Sequence, residues 1–244
     1  MREALGPVMY ADKMFRRAKR TYPGNFIAAC AMLLCHSQPI LGDAQHILAQ
    51  PAEMIETAER IDFIGQNSFT KEASEFGQVL RSTPHRSASG LYLHVHVPPG
   101  SLRPVTWHWR VDQLQPSADI RALRTEDFGA VIFFIFGEPS LFNRDVPTLA
   151  YTWTATPVAN GTFLPSKRYQ SLRFVQLRGR AEVGTWQRER RDLAADYRMI
   201  FGNEPPALRY VAVFNDNDQT SEPASALFGP IEWVSSSQDP FDSR

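Results

Sequence analysis

Residues 130–136 read Ala-Val-Ile-Phe-Phe-Ile-Phe, an unbroken apolar run that ends at Gly137. Successive side chains of a strand leave opposite faces, so a strand of this composition needs apolar cover on both sides. Two neighbouring segments, Leu91–Val97 and Val105–Val111, instead alternate apolar with polar residues, the pattern of strands buried on one face. A doubly covered strand accompanied by half-covered ones requires a layered β architecture rather than a single open sheet.

The rest of the chain extends this pattern. Further strands are expected at Leu149–Ala155, Leu172–Leu177, Arg209–Phe214 and Leu227–Val234, separated by stretches rich in Pro, Gly, Asn and Asp. About eight strands in one domain predict an antiparallel β-sandwich of jelly-roll type. One helix is expected near 192–201. Asp192 suits its N-cap, Leu193, Tyr197, Ile200 and Phe201 share a face, and Gly202 suits a left-handed terminus. Ahead of the strands, Pro51 followed by Met54, Ile55, Ala58 and Ile61 predicts a short helical lead-in.

The N-terminus has the three-part layout of a secretory signal peptide. Basic Arg16, Arg17, Lys19 and Arg20 precede an apolar stretch from Phe26 to Cys35, and Gly42-Asp43-Ala44 supplies small residues for cleavage after Ala44. The apolar run is shorter than the roughly 20 residues a bilayer-spanning helix needs, so no stable membrane span is expected. Met9 or Met14 could serve as the start. Two weaker readings are a lipoprotein site at Ile27-Ala28-Ala29-Cys30 and twin-arginine export through Arg16-Arg17. The expected organisation is a leader at 1–44, a helical lead-in at 45–75, the β-sandwich at 76–235 and a tail at 236–244, with the mature protein periplasmic or secreted.

Charge and cysteine usage narrow the function classes. The whole chain carries 26 basic and 26 acidic residues. Removing the leader's six basic and three acidic residues leaves 20 against 23. That balance lacks the general attraction of a nucleic-acid binder. The only cysteines, Cys30 and Cys35, fall inside the leader, so neither a cysteine zinc site nor a disulfide framework is available afterwards.

Several landmarks in order resemble an uncharacterised bacterial family known as domain of unknown function 3047. They are Ser87-Ala88-Ser89-Gly90-Leu91, Trp107-His108-Trp109, Glu126-Asp127-Phe128, Leu149-Ala150-Tyr151-Thr152-Trp153, Trp186 through Asp192, Ala195-Asp196-Tyr197, Phe201-Gly202 and Asp216-Asn217-Asp218-Gln219-Thr220. The resemblance implies a secreted or periplasmic β-rich domain and assigns no chemistry. The helix, the acidic loop and the closing Gly229-Pro230-Ile231-Glu232-Trp233 strand also resemble jelly-roll carbohydrate-binding modules, a likeness of fold alone.

Candidate chemistry is carried by four groups of residues. His94 and His96 leave one face of a strand and could share a metal, with His108 as a third ligand; a solvated sheet face is the alternative. Trp107, Trp109 and Trp153 could form a sugar-stacking platform, but their alternation with polar neighbours favours the core. Lys167, Arg168, Arg173, Arg178, Arg180, Arg188, Arg190 and Arg191 concentrate positive charge suited to an acidic glycan or lipid head group, although Glu182, Glu189, Asp192 and Asp196 are interleaved and could pair with it. Finally, Glu126, Asp127, Asp216, Asp218 and Thr220 supply oxygen ligands in two loops. Asp216 through Thr220 suit a calcium ion or merely turn chemistry within their own loop, and Glu126 with Asp127, or Asp216 with Asp218, could supply two carboxylates for glycoside chemistry.

No Gly-x-Ser-x-Gly elbow, phosphate-binding glycine loop or His-Glu-x-x-His helix is present in the sequence, and no catalytic residue is assigned. The reading is an exported β-sandwich acting as a non-catalytic module for a carbohydrate or other envelope component. No organic cofactor is expected and calcium is the one candidate ion. The alternatives are a carbohydrate-active hydrolase or lyase using the loop carboxylates, and a calcium-stabilised structural domain.

Overall fold

The computed structural model describes residues 47–138 and 145–234. The leader expected at 1–44 and the tail at 236–244 lie outside the described residues. The strands are β1 Ile47–Ala49, β2 Glu59–Ile64, β3 Ser68–Ser74, β4 Gly77–Thr83, β5 Ala88–Val97, β6 Val105–Gln113 and β7 Ala130–Phe136. They continue as β8 Thr148–Trp153, β9 Thr162–Pro165, β10 Leu172–Arg178, β11 Gln187–Arg191, β12 Leu208–Asp216 and β13 Ser225–Trp233.

These strands form two sheets. The six-stranded sheet runs β11-β6-β13-β4-β3, with β1 also paired to β13, and the seven-stranded sheet runs β2-β5-β12-β7-β8-β10-β9. Pairing is antiparallel except between β8 and β10, which are parallel. The architecture is a β-sandwich of jelly-roll type. Among the described residues no helix is long and apolar enough to cross a membrane.

The alternation read from the sequence decides which side chains meet between the sheets. Val105, Trp107, Trp109 and Val111 of β6 face inward and are buried. Across from them lie Phe134, Tyr151 and Trp153, with ring centroids 6.2 Å apart for Trp107–Phe134, 5.3 Å for Trp107–Tyr151 and 5.7 Å for Trp109–Trp153. The indoles are therefore core, and none of the three offers a platform to a sugar. The run at 130–136 is β7, buried along its whole length. Its alternate residues Val131, Phe133 and Ile135 join a second apolar cluster on the outer face of the seven-stranded sheet, with Ile120 and Phe128 from the loop after β6.

Two buried carboxylates tie edge elements to this core. Glu189 of β11 accepts from Trp109 Nε1 at 3.0 Å and from Arg178 Nε at 2.7 Å. Asp196, on the helix Leu193–Phe201, accepts from Tyr151 Oη at 2.5 Å and from both Arg191 Nε and Nη2, at 2.9 and 2.6 Å. That helix is capped as its sequence predicts: Asp192 accepts from Ala195 N at 2.9 Å, and Gly202 adopts φ 77°.

A third polar tie crosses between the sheets. Asn67 Nδ2 reaches Asn215 Oδ1 of β12 at 2.8 Å, and Ser82 of β4 donates to the same Oδ1 at 2.6 Å. Ser87 Oγ donates to Asn67 Oδ1 at 2.7 Å. Gly90 closes the same region because a Cβ there would stand 2.5 Å from the carbonyl oxygen of Val213. The Ser87–Leu91 landmark is thus a place of close packing between the sheets.

The lead-in differs from expectation. Its helix is a single turn, Met54–Thr57, and residues 59–64 and 68–74 are strands β2 and β3. Ala58 is already extended, and β2 pairs with the edge of β5 from Glu59↔Tyr92 to Ile64↔Ala88. Ile61 fits a period of two with Phe63 as well as it fits a helical face, and the open edge of β5 selects the former.

Candidate functional site

Along β12 the residues Tyr210, Ala212 and Phe214 face outward from the seven-stranded sheet, and the period of two places Asp216 on the same side. Beyond the strand the chain turns through Asn217–Thr220. The loop joining β6 to β7 crosses this end of the sandwich, so Asp127 meets Asp216. Phe128 N donates to Asp216 Oδ1 at 2.7 Å, and Asp216 N returns a bond to Phe128 O at 3.3 Å. Asp127 is held from the other loop, accepting Gln219 N on Oδ1 at 3.1 Å and Thr220 N on Oδ2 at 2.7 Å.

The outcome is one cluster. Carboxylate oxygens of Asp127, Asp216 and Asp218 all lie within 4.8 Å of one another, with Asp127 and Asp216 buried and Asp218 half-buried. Glu126 lies beside the cluster but is engaged by Arg168 Nε at 2.8 Å. Thr220 contributes its main-chain N–H, while its hydroxyl accepts from Glu222 N at 3.3 Å. Of the five residues singled out by sequence, three therefore converge on a common point, Glu126 stands next to them, and Thr220 braces Asp127.

The electrostatics follow from this crowding. Burial, then the charges of Asp127 and Asp218, push the Asp216 carboxyl well above the usual aspartate range. Burial also raises Asp218, partly offset by the bond from Gln219, and raises Glu126 despite Arg168. Three acids in one place are uncomfortable at neutral pH unless a proton or a cation intervenes. Sequence reading missed Gln115, which is wholly buried at the end of the β6 segment. Its Nε2 donates to the main-chain oxygen of Asp216 and its Oε1 has no partner among the described residues. A lone polar residue beside Pro116 carries no signal that could have marked it.

For acid/base chemistry the geometry is less favourable. Asp216 is only 6% exposed, and Glu126 is tied to a guanidinium. A glycosidic oxygen must come within hydrogen-bonding distance of its acid.

The histidines do not assemble. His94 Nε2 lies 3.3 Å from Glu59 Oε1, and His96 Nδ1 faces Arg209 Nη1. His108 stands on β6 in the other sheet. Three of the eight basic residues of the 167–191 stretch pair with carboxylates, through Arg168–Glu126, Arg178–Glu189 and Arg191–Asp196.

Comparison with known proteins gives a family and a distant set of folds. The family described as "Protein of unknown function (DUF3047)" matches residues 59–232. No curated protein sequence matches the chain. Among solved structures, the family 11 carbohydrate-binding module from Clostridium thermocellum in complex with a β-1,3-1,4-mixed-linked tetrasaccharide is similar at 8% identity, covering 78% of this chain and 95% of that one, with TM-score 0.41. The tailspike protein 4 enzymatically active domain of bacteriophage CBA120 is 9% identical over 78% of this chain and 22% of its own, at TM-score 0.40. The glycoside hydrolase domain of Endo-D from Streptococcus pneumoniae R6 is 8% identical over 72% of this chain and 21% of its own, at TM-score 0.35.

Proposed function

The chain belongs to the DUF3047 family of proteins of unknown function, and on that footing we propose that it is a non-catalytic binding β-sandwich that holds a calcium ion through Asp127, Asp216 and Asp218. The observation that carries this reading is the convergence of three carboxylates, two of them buried, within 4.8 Å. Buried charges in proteins are paired or coordinate metals. The nearby cation, Arg168, is already engaged with Glu126. Calcium takes oxygen ligands from carboxylates and carbonyls in flexible geometry. The unpartnered Gln115 Oε1 adds a carbonyl next to Asp216. Such an ion ties the loop after β6 to the turn after β12 and so fixes one end of the sandwich.

The test is thermal unfolding of ion-stripped protein across a calcium titration. At an ion concentration about 100 times Kd the stabilisation is about 2.7 kcal/mol, or roughly 5–11 °C for a domain of this size. An identical melt in chelator and in millimolar calcium removes the cation from the proposal.

The ligand of the module is proposed to be a carbohydrate or another envelope component, met outside the cytoplasm. Support for export comes from the leader-like N-terminus. Expression of the full reading frame in a bacterial host is expected to yield an extracytoplasmic protein whose N-terminal residue is Gln45. Recovery of the uncleaved chain from the cytosol would defeat this part of the reading.

A further inference from the structure

The outer face of the six-stranded sheet carries an aromatic group that belongs to neither hydrophobic cluster. Phe76, in the hairpin turn between β3 and β4, stacks on His108 of β6 with centroids 3.8 Å apart and planes 13° from parallel. Trp186, immediately before β11, meets the Phe76 ring edge-to-face at 5.2 Å. The Arg110 guanidinium lies 5.3 Å over the Trp186 ring. Phe76 and Trp186 are partly exposed and are absent from the packing of both cores. Trp107, Trp109 and Trp153 are fully covered. Exposed indole and phenyl surface gathered at one place marks a contact site more often than a packing requirement.

Polar groups around these rings are held in fixed positions. Arg110 grips Asp112 with Nε at 2.6 Å and Nη2 at 3.1 Å, leaving Nη1 outside that pair. Arg81 joins the same Asp112 at 2.9 Å and forks onto Glu72. Arg188 stands directly opposite His108 in the β6–β11 register, and its Nε donates to the Thr106 hydroxyl at 3.3 Å. It has no carboxylate partner among the described residues, unlike Arg168, Arg178 and Arg191 of the same basic stretch. Burial, then the charge of Arg188, lower the His108 pKa, with the Glu75 carboxylate opposing them.

We propose that Trp186, Phe76, Arg110 and Arg188 form a binding platform for an acidic polysaccharide on the outer face of the six-stranded sheet. The inference rests on the binding-module reading above and names where its ligand sits and of what class it is. A pyranose ring presents an apolar C–H face that lies flat on an aromatic ring, whose π-face is negative. A carboxylate on the same sugar matches the guanidinium fork that Arg188 has not committed. The platform lies on the sheet opposite the one that ends at Asp216, so ion and polysaccharide are independent.

The experiment is native affinity electrophoresis of the full chain through gels cast with polygalacturonate, with neutral dextran, or with no polymer. Wild type is expected to be retarded by polygalacturonate and not by dextran. Trp186→Ala and Arg188→Gln should each weaken retardation about tenfold, the scale of losing one anchoring aromatic or one charge-assisted hydrogen bond. Met199→Ser, a substitution on the exposed helix surface, should change nothing. Unchanged melting temperatures separate loss of binding from loss of fold. If Trp186→Ala binds as tightly as wild type, the platform is wrong although the module reading stands. If Arg188→Gln alone weakens binding, charge without stacking explains it and the platform is equally overturned. If wild type is retarded by neither polymer, the platform fails; if it also fails to bind a wider panel of neutral and acidic envelope glycans, the module reading fails with it.

Discussion

Replacing Asp196 with alanine is expected to lower the stability of this domain by about 3–5 kcal/mol, the usual cost of breaking a buried ion pair from one side. For a domain of about 200 residues that corresponds to a fall in melting temperature on the order of 10 °C. Asp196 joins the helix Leu193–Phe201 to the sheet interior, taking Tyr151 Oη on one oxygen and the Arg191 fork on both. Its removal leaves the phenol of fully buried Tyr151 and the guanidinium of half-buried Arg191 without their acceptor. The Arg191 side chain also lies 5.5 Å from the Tyr151 ring centre, so the three groups respond together. Urea unfolding measures the loss as a lower midpoint at constant slope. The double variant Asp196→Ala, Arg191→Met should recover part of it, because no uncompensated charge is left behind. A single variant within 1 kcal/mol of wild type would show that the triad is not what fastens the helix.

The second large effect has the opposite sign. In chelator at neutral pH, Asp216→Asn is expected to melt above wild type by about 1–2 kcal/mol of stability, inside the common range for one substitution. Asparagine keeps an oxygen for Phe128 N and removes a buried charge that Asp127 and Asp218 repel. The pH dependence follows from the direction of the shift. A carboxyl whose pKa is raised by folding contributes stability that is fully present below its unfolded value, about 3.9 for aspartate, and lost as pH rises through the raised folded value.

Ion-free wild type should therefore be more stable in mildly acidic than in neutral solution, with Asp218 and Glu126 acting in the same sense. Glu72, Asp112 and Asp119, held low by their arginines, act oppositely. Their contribution is present above the unfolded carboxylate value and is lost as pH falls through the folded one, so stability should drop again at stronger acid. Calcium should flatten the wild-type dependence and reverse the order of the two proteins. A variant that melts below wild type in chelator and keeps the full calcium response would refute the assignment.

Much of the fold was legible because it rests on short-range pattern. The apolar run became β7 with its predicted ends, and the alternating segments became β5 and β6. Six strands were not anticipated, and β11 shows why. Its inward positions are Gln187, Glu189 and Arg191, of which Glu189 is buried and Arg191 half-buried, both through polar partners rather than through hydrophobicity. A strand whose core face is ionic has no apolar alternation to read. The candidate site was legible only as two acidic loops. That Asp127 rather than Glu126 meets Asp216 depends on which side of the loop each faces, and Arg168 draws Glu126 away from 42 positions along the chain.

By itself the sequence determined the layered β class, the inward turn of Trp107 and Trp109, and both ends of the helix at 192–202. Each depends on residues within a few positions of one another, where backbone periodicity and capping act directly. Only the tertiary structure decided which acids share a cluster, which arginines meet a carboxylate, and which aromatics stay outside the core. Those outcomes depend on strand register and sheet order among residues far apart in the chain, and a charged or aromatic side chain carries no local mark of the partner it will meet.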